Sequence, residues 1–135
     1  MRGGIHHVDL TVRDAHASRA FYESVLAFMG YRLADTHANG YDFDLRDGDM
    51  FCSIGILSGR GENAERGHDR YSPGLHHIAW NAASREDVDA MYAHLLSIGA
   101  TILDPPAAYP SYGPNYYAVF FADPDGLKLE YVHKP

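Results

Sequence analysis

The sequence predicts an α+β fold of two tandem βαβββ modules that build a curved mixed sheet with the helices on its outer face. Three observations carry this prediction. The chain repeats itself at an offset of 70, each copy opens on an alternating strand, and each then carries an apolar helical stripe closed by glycine.

At that offset Gly4-Ile5-His6-His7-Val8 lies over Gly74-Leu75-His76-His77-Ile78, Ala20 over Ala90, Tyr22 over Tyr92 and Leu26 over Leu96. A one-residue slip then aligns Gly30 with Gly99. Similarity at a fixed period marks a repeated structural unit. Module one spans residues 4–57 and module two 74–133, within a single domain of residues 1–135. The polar, glycine-containing stretch 58–73 between them reads as a loop.

Each module opens on a strand, because Val8, Leu10 and Val12 alternate with His7, Asp9 and Thr11. A helix follows. In module one Asp14 is the expected N-cap, Phe21, Val25 and Phe28 supply the stripe, and Gly30 closes it. In module two Ser84 caps, with Asp87 three residues on as a near capping box. Val88, Met91, Tyr92, Leu95 and Leu96 form its stripe, and Gly99 ends it. Three strands are expected next in each half, near 31–36, 40–46 and 50–57, then near 100–103, 115–122 and 127–133. Arg46-Asp47-Gly48 and Asp123-Pro124-Asp125-Gly126 supply the last turn of each.

Composition narrows the function classes. The chain is 46% hydrophobic and 21% charged with a net charge of −7, which argues against nucleic acid or an anionic membrane surface as the main partner. No run of about 18 apolar residues is present, so no membrane span is expected. The N-terminus lacks a long apolar signal region, which makes the cytoplasm the expected location. The single Cys52 excludes an internal disulfide framework.

Nine histidines carry most of the remaining information. Strand parity sorts them, since side chains alternate between faces. His6 should share the helix-facing side with Val8, Leu10 and Val12, and His76 should go with Ile78 and Trp80. Both are expected to be structural. His7 goes with Asp9 and Thr11, and His77 with Ala79 and Asn81. On the last strand Leu127, Leu129 and Tyr131 share one face, and Lys128, Glu130 and Val132 the other. His7, His77 and Glu130 can therefore meet on the side away from the helices. Two imidazoles and a carboxylate suit a divalent metal with open positions for substrate. The residues alone leave a second reading open, in which these are solvent-facing polar strand positions.

The stretch His7-Val8-Asp9-Leu10-Thr11-Val12-Arg13-Asp14, with Phe21-Tyr22, Leu26 and Gly30, resembles the opening motif of the vicinal oxygen chelate superfamily. His77-Ile78-Ala79 is similar to its second metal-histidine strand. Phe120-Phe121-Ala122-Asp123-Pro124-Asp125-Gly126-Leu127-Lys128-Leu129-Glu130 resembles its closing motif. The superfamily includes glyoxalase I, fosfomycin- and bleomycin-resistance proteins and extradiol dioxygenases. The resemblance covers nearly the whole chain and is weakest in 58–73 and 104–115.

The resemblance implies a cleft holding one divalent metal (Zn, Ni, Mn, Fe or Co) on His7, His77 and Glu130. It implies a small oxygen-rich substrate bound through its oxygens, and a homodimer in which His7 can come from a different chain than His77 and Glu130. Glyoxalase I adds a glutamate on the last strand of the first module. Superposing the two hairpins, Gly48 on Gly126, puts Cys52 at that place, so a three-ligand site is expected, with Cys52 as a small buried thiol.

Residues 105–114, from Pro105 to Pro114, lack the basic segment that a phosphonate would need. They suit a stiff aromatic flap, with Tyr112 against the substrate, and read equally as a surface loop. Tyr116 and Tyr117 straddle the next strand, so one should face the cavity beside Glu130. Asp9, two residues beyond His7, and Asn81, four beyond His77 on the same face, are positioned to orient substrate or ligand. The expected function is a metal-dependent lyase or isomerase of glyoxalase type, or an extradiol-type dioxygenase. The alternative is a binding protein that sequesters an aromatic drug without catalysis.

Overall fold

In the computed structural model, which describes residues 2–135, each half of the chain is a βαβββ module. The first contains β1 (His7–Val12), α1 (Ala15–Phe28), β2 (Arg32–His37), β3 (Gly40–Asp47) and β4 (Met50–Ser58). The second contains β5 (His77–Asn81), α2 (Arg85–Ser97), β6 (Thr101–Ala108), a 3-10 turn at Pro110–Tyr112, β7 (Tyr117–Ala122) and β8 (Lys128–His133). The chain divides into two compact units, one ending at Gly67 and one running from His68 to Pro135. Each unit has its own four-stranded mixed sheet, ordered β1-β4-β3-β2 in the first and β5-β8-β7-β6 in the second. The first strand pairs parallel to the last, and the other pairings are antiparallel. No helix among the described residues is long and apolar enough to cross a membrane.

In the first unit Asp14 caps α1 by accepting from His16 N and Ala17 N at 3.0 and 3.3 Å. Ser58 Oγ accepts from Ala15 N at 2.8 Å, so the end of β4 also anchors the start of the helix. The buried stripe is Ala15, Ser18, Tyr22, Val25 and Leu26, which keeps the i, i+3, i+4 spacing of one helical face. Phe21 and Phe28, expected in that stripe, are only half-buried. The stripe covers Leu10, Val12, Tyr41, Phe43, Ile54 and Ile56 of the sheet, and each such fully buried aliphatic or aromatic side chain contributes about 1.5–3 kcal/mol.

In the second unit Ser84 accepts from Asp87 N at 3.0 Å, and Asp87 Oδ2 accepts in return from Ala83 N at 2.8 Å. The reciprocal bond reaches one residue further back than in the standard capping box. Val88, Met91 and Leu95 are buried, whereas Leu96, expected in the same stripe, stands 54% exposed. Gly30 and Gly99 end the two helices with φ of 97° and 70°, a conformation that favours glycine.

β6 differs most from expectation. It runs to Ala108 through Pro105 and Pro106, where a loop was expected to begin after residue 103. It is an edge strand paired only to β7, with register shifts between Ile102 and Asp104 and between Asp104 and Ala107. Proline is tolerated there because the missing N–H can face away from the ladder.

Candidate functional site

The face of the second sheet away from α2 is built by register. Ala79 pairs with Glu130 and Glu130 with Phe120, while Asn81 pairs with Val132 and Val132 with Ala118. These partners share one side. The opposite side carries Val119, Phe121, Leu129 and Tyr131, and Tyr131 OH donates to Asp87 Oδ2 of α2 at 2.7 Å. Glu130 thus lies on the open side as parity predicts, yet only 2% of it is exposed.

A buried carboxylate needs partners, and Glu130 has two. His77 Nε2 lies 3.1 Å from Oε2, and Tyr116 OH donates a short hydrogen bond to Oε1. The remaining wall is apolar or aromatic: Ala118, Phe120 and Val132, with Tyr109 and Tyr116 packed against them. Tyr112, 58% exposed, stacks on Tyr109 at 5.5 Å and meets the edge of Tyr116 at 5.4 Å. Lys128 Nζ sits 4.5 Å from the centre of the Phe120 ring. Burial, and then the bond to Glu130, push the Tyr116 hydroxyl well above the ordinary tyrosine range, so it stays a donor. Tyr109 is shifted upward too, chiefly by burial.

Tyr117 is separated from this group. Its hydroxyl donates to Asp89 Oδ1 of α2 at 2.6 Å, and that bond raises its pKa. Of the two tyrosines it is Tyr116 that stands beside Glu130. Asn81 is exposed, four residues beyond His77 on the same strand face.

In the first unit His7 and Asp9 are both exposed on the face away from α1, with His7 Nε2 3.9 Å from Asp9 Oδ2. Here the register corrects the expected place of Cys52. His7 pairs with Ser53, as His77 pairs with Lys128, so the counterpart of Glu130 is Gly55. Cys52 pairs with Leu45 and shares the helix-facing parity of Ile54. The two hairpins differ in length, which misled the superposition. Residues 48 and 49 lie between paired Asp47 and Met50, but 123–127 lie between paired Ala122 and Lys128. The longer loop is held by Asp123 Oδ1, which accepts from Asp125 N and Leu127 N at 2.9 and 2.8 Å. At Gly55 the side-chain space is filled by neighbours, since a Cβ there would collide with Asp9 Oδ1 and lie 2.9 Å from Asp42 Oδ1.

His6 and His76 also differ from expectation. Both are exposed, and β1 and β5 begin at the histidines that follow them. His6 Nδ1 lies 3.0 Å from His7 Nδ1, and His76 Nδ1 lies 2.7 Å from His77 Nδ1. The His76 pKa is lowered by desolvation first, then by the charges of His77, Lys128, Arg70 and His68. Nothing in strand parity signals such contacts, because neighbouring strand side chains point to opposite faces. Tyr109 was also missed, because it lies in a proline-rich stretch that reads as a loop rather than as the strand edge beside Phe120.

Two donors bonded to one ion at about 2.1 Å, with angles of about 90–110°, stand about 3.0–3.4 Å apart. The His77 Nε2 to Glu130 Oε2 separation of 3.1 Å fits two cis ligands of a divalent metal. Among the described residues no group of three or more His, Cys, Asp or Glu side chains is placed to hold a metal ion. The second unit contributes a ligand-spaced pair, and His7 belongs to the first.

Comparison with known proteins agrees with this architecture. A family model described as the Glyoxalase/Bleomycin resistance protein/Dioxygenase superfamily matches residues 4–131. An uncharacterized Bacillus subtilis protein, YqjT, is 32% identical over 128 residues, covering 95% of this chain and 97% of its own. The crystal structure of a candidate glyoxalase from Bacillus halodurans is 30% identical with a TM-score of 0.81, covering 98% of this chain and 97% of that one. A glyoxalase/bleomycin resistance protein from Albidiferax ferrireducens is 25% identical with a TM-score of 0.72, covering 96% and 98%.

Proposed function

The chain belongs to the glyoxalase/bleomycin resistance protein/dioxygenase superfamily, and from that premise we propose that it is a divalent-metal-dependent enzyme acting on a small oxygen-rich molecule. The observation that supports this most is the buried Glu130 carboxylate, held between His77 Nε2 and the Tyr116 hydroxyl beside the apolar cluster of Ala118, Phe120 and Val132. A carboxylate in such surroundings costs stability unless it has a task or full compensation.

His7, His77 and Glu130 would hold the metal, which when bound supplies a Lewis acid for negative charge developing on substrate oxygen. Tyr116 keeps Glu130 oriented by donating to Oε1, leaving Oε2 toward His77. Tyr112 and Phe120 wall the face and exclude water from one side of a bound substrate. Asp9 and Asn81, on the same faces as the two histidines, orient substrate polar groups. The reaction class is that of a glyoxalase-like lyase or isomerase, or of an extradiol-type dioxygenase on the same scaffold. A small-molecule substrate and a homodimeric assembly accompany this reading.

Metal analysis of protein purified without chelator tests it. One divalent ion per chain, lost in His77→Ala, is the expected result. An absent ion, or one that His77→Ala leaves in place, would remove the enzyme reading. The stacked Tyr109, Tyr112 and Tyr116 rings favour a second reading, a non-catalytic binder of aromatic compounds. Fluorescence quenching by a panel of aromatic compounds, undiminished in His77→Ala, would select it.

A further inference from the structure

Both units contain the same unusual contact. In a regular strand, adjacent side chains point to opposite faces and do not touch. His6 and His7, and again His76 and His77, break that rule through the same atoms, Nδ1 to Nδ1, at 3.0 and 2.7 Å. The rings meet edge to face in both pairs, with centroids 5.3 and 4.9 Å apart. The outer histidine also has an aromatic neighbour each time: Phe51 lies 4.7 Å from His6, and Tyr71 lies 6.0 Å from His76. The first histidine of each pair therefore sits just outside the strand with its ring turned toward its neighbour.

The chemistry of an imidazole ligand gives this contact a consequence. A neutral histidine that offers its Nε2 lone pair to a metal must carry its proton on Nδ1, and that N–H needs an acceptor. The usual acceptor is a carboxylate or a backbone carbonyl. Here the atom within reach is the Nδ1 of the preceding histidine, which accepts while its own proton resides on Nε2. The opposite side of His77 is free for this role, because Nε2 is the atom that faces Glu130.

We infer that His6 and His76 are positioning residues, each fixing the ring orientation and Nδ1–H tautomer of the histidine that follows it. This rests on the metal reading above and adds two residues to it. Neither is a ligand, and each acts through its neighbour.

The test is Co2+ titration, followed by the visible absorption of the bound ion, on wild type, His76→Ala, His76→Asn, His6→Ala and His77→Ala. Asn places an acceptor oxygen near the position of Nδ1 and should restore what Ala removes. His76→Ala and His6→Ala should each weaken Co2+ binding by about tenfold, as loss of a ligand's hydrogen-bond partner typically does. His76→Asn should stay within about threefold of wild type, all with unchanged thermal melting. In Zn2+-loaded protein, where the metal takes the place of the Nε2 proton, the 15N shift of His77 Nδ1 should move in His76→Ala and return toward wild type in His76→Asn. Co2+ uptake abolished by His77→Ala but untouched by His76→Ala and His6→Ala would overturn this inference alone. So would a His76→Asn as weak as His76→Ala. No Co2+ uptake by wild type would overturn the metal reading together with this one.

Discussion

Glu130 is only 2% exposed, and a carboxylate so buried is tolerated only with hydrogen-bond partners. Tyr116→Phe deletes one of them and should lower stability by about 1–3 kcal/mol, the cost of leaving a buried group unsatisfied. Urea unfolding measures this, and an unchanged midpoint would show that Tyr116 does not support the carboxylate. Tyr131 makes a comparable bond on the other face. Burial first, and then donation to Asp87, hold its hydroxyl above the ordinary tyrosine range. An unfolded tyrosine ionises near pH 10, so this contribution is complete below about pH 10 and declines as pH rises beyond it. Tyr131→Phe should flatten the alkaline fall in urea midpoint between about pH 10 and 11. The faces of His7, His77 and Glu130 were legible from strand parity, since period-two alternation survives wherever a strand is regular. His6 and His76 were not, because each lies just before a strand begins.

Among the elements, the β3–β4 pairing is tightest at Gly40. A Cβ on Gly40 would overlap the Ile56 carbonyl oxygen and stand 3.1 Å from Leu57 Cα, both backbone atoms of the neighbouring strand. Gly40→Ala should therefore cost about 3 kcal/mol, at the upper end of overpacking effects. Gly55→Ala meets only the ends of the Asp9 and Asp42 side chains, which can turn away. It should cost about 1 kcal/mol or less. Equal losses in thermal melting for the two variants would contradict this view of the sheet. The order of elements was legible because caps, stripes and closing glycines are local signals. The register of the two closing hairpins was not, since it depends on how many residues each loop encloses. That count hid the equivalence of Gly55 with Glu130, and it wrongly set Cys52 there. The length of β6 was also hidden, because proline reads as a break until the strand is known to be an edge.

At the scale of the whole molecule, the repeat at offset 70 became two units of the same topology. The repeat is preserved at the opening His-His pairs and lost at the position facing them, where one unit has Gly55 and the other Glu130. One copy thus keeps a buried carboxylate and the other keeps exposed Asp9 and half-buried Asp42 over a bare glycine. The proposed metal site draws on His7, His77 and Glu130. Anomalous scattering from a crystal grown with Co2+, Zn2+ or Ni2+, recorded at the metal edge, tests that claim most directly. The account predicts one strong peak per chain at about 2.0–2.2 Å from His77 Nε2, Glu130 and a His7 Nε2 of the same or a partner chain. No peak at Glu130, or a peak held by other residues with His7 remote from it, would contradict it.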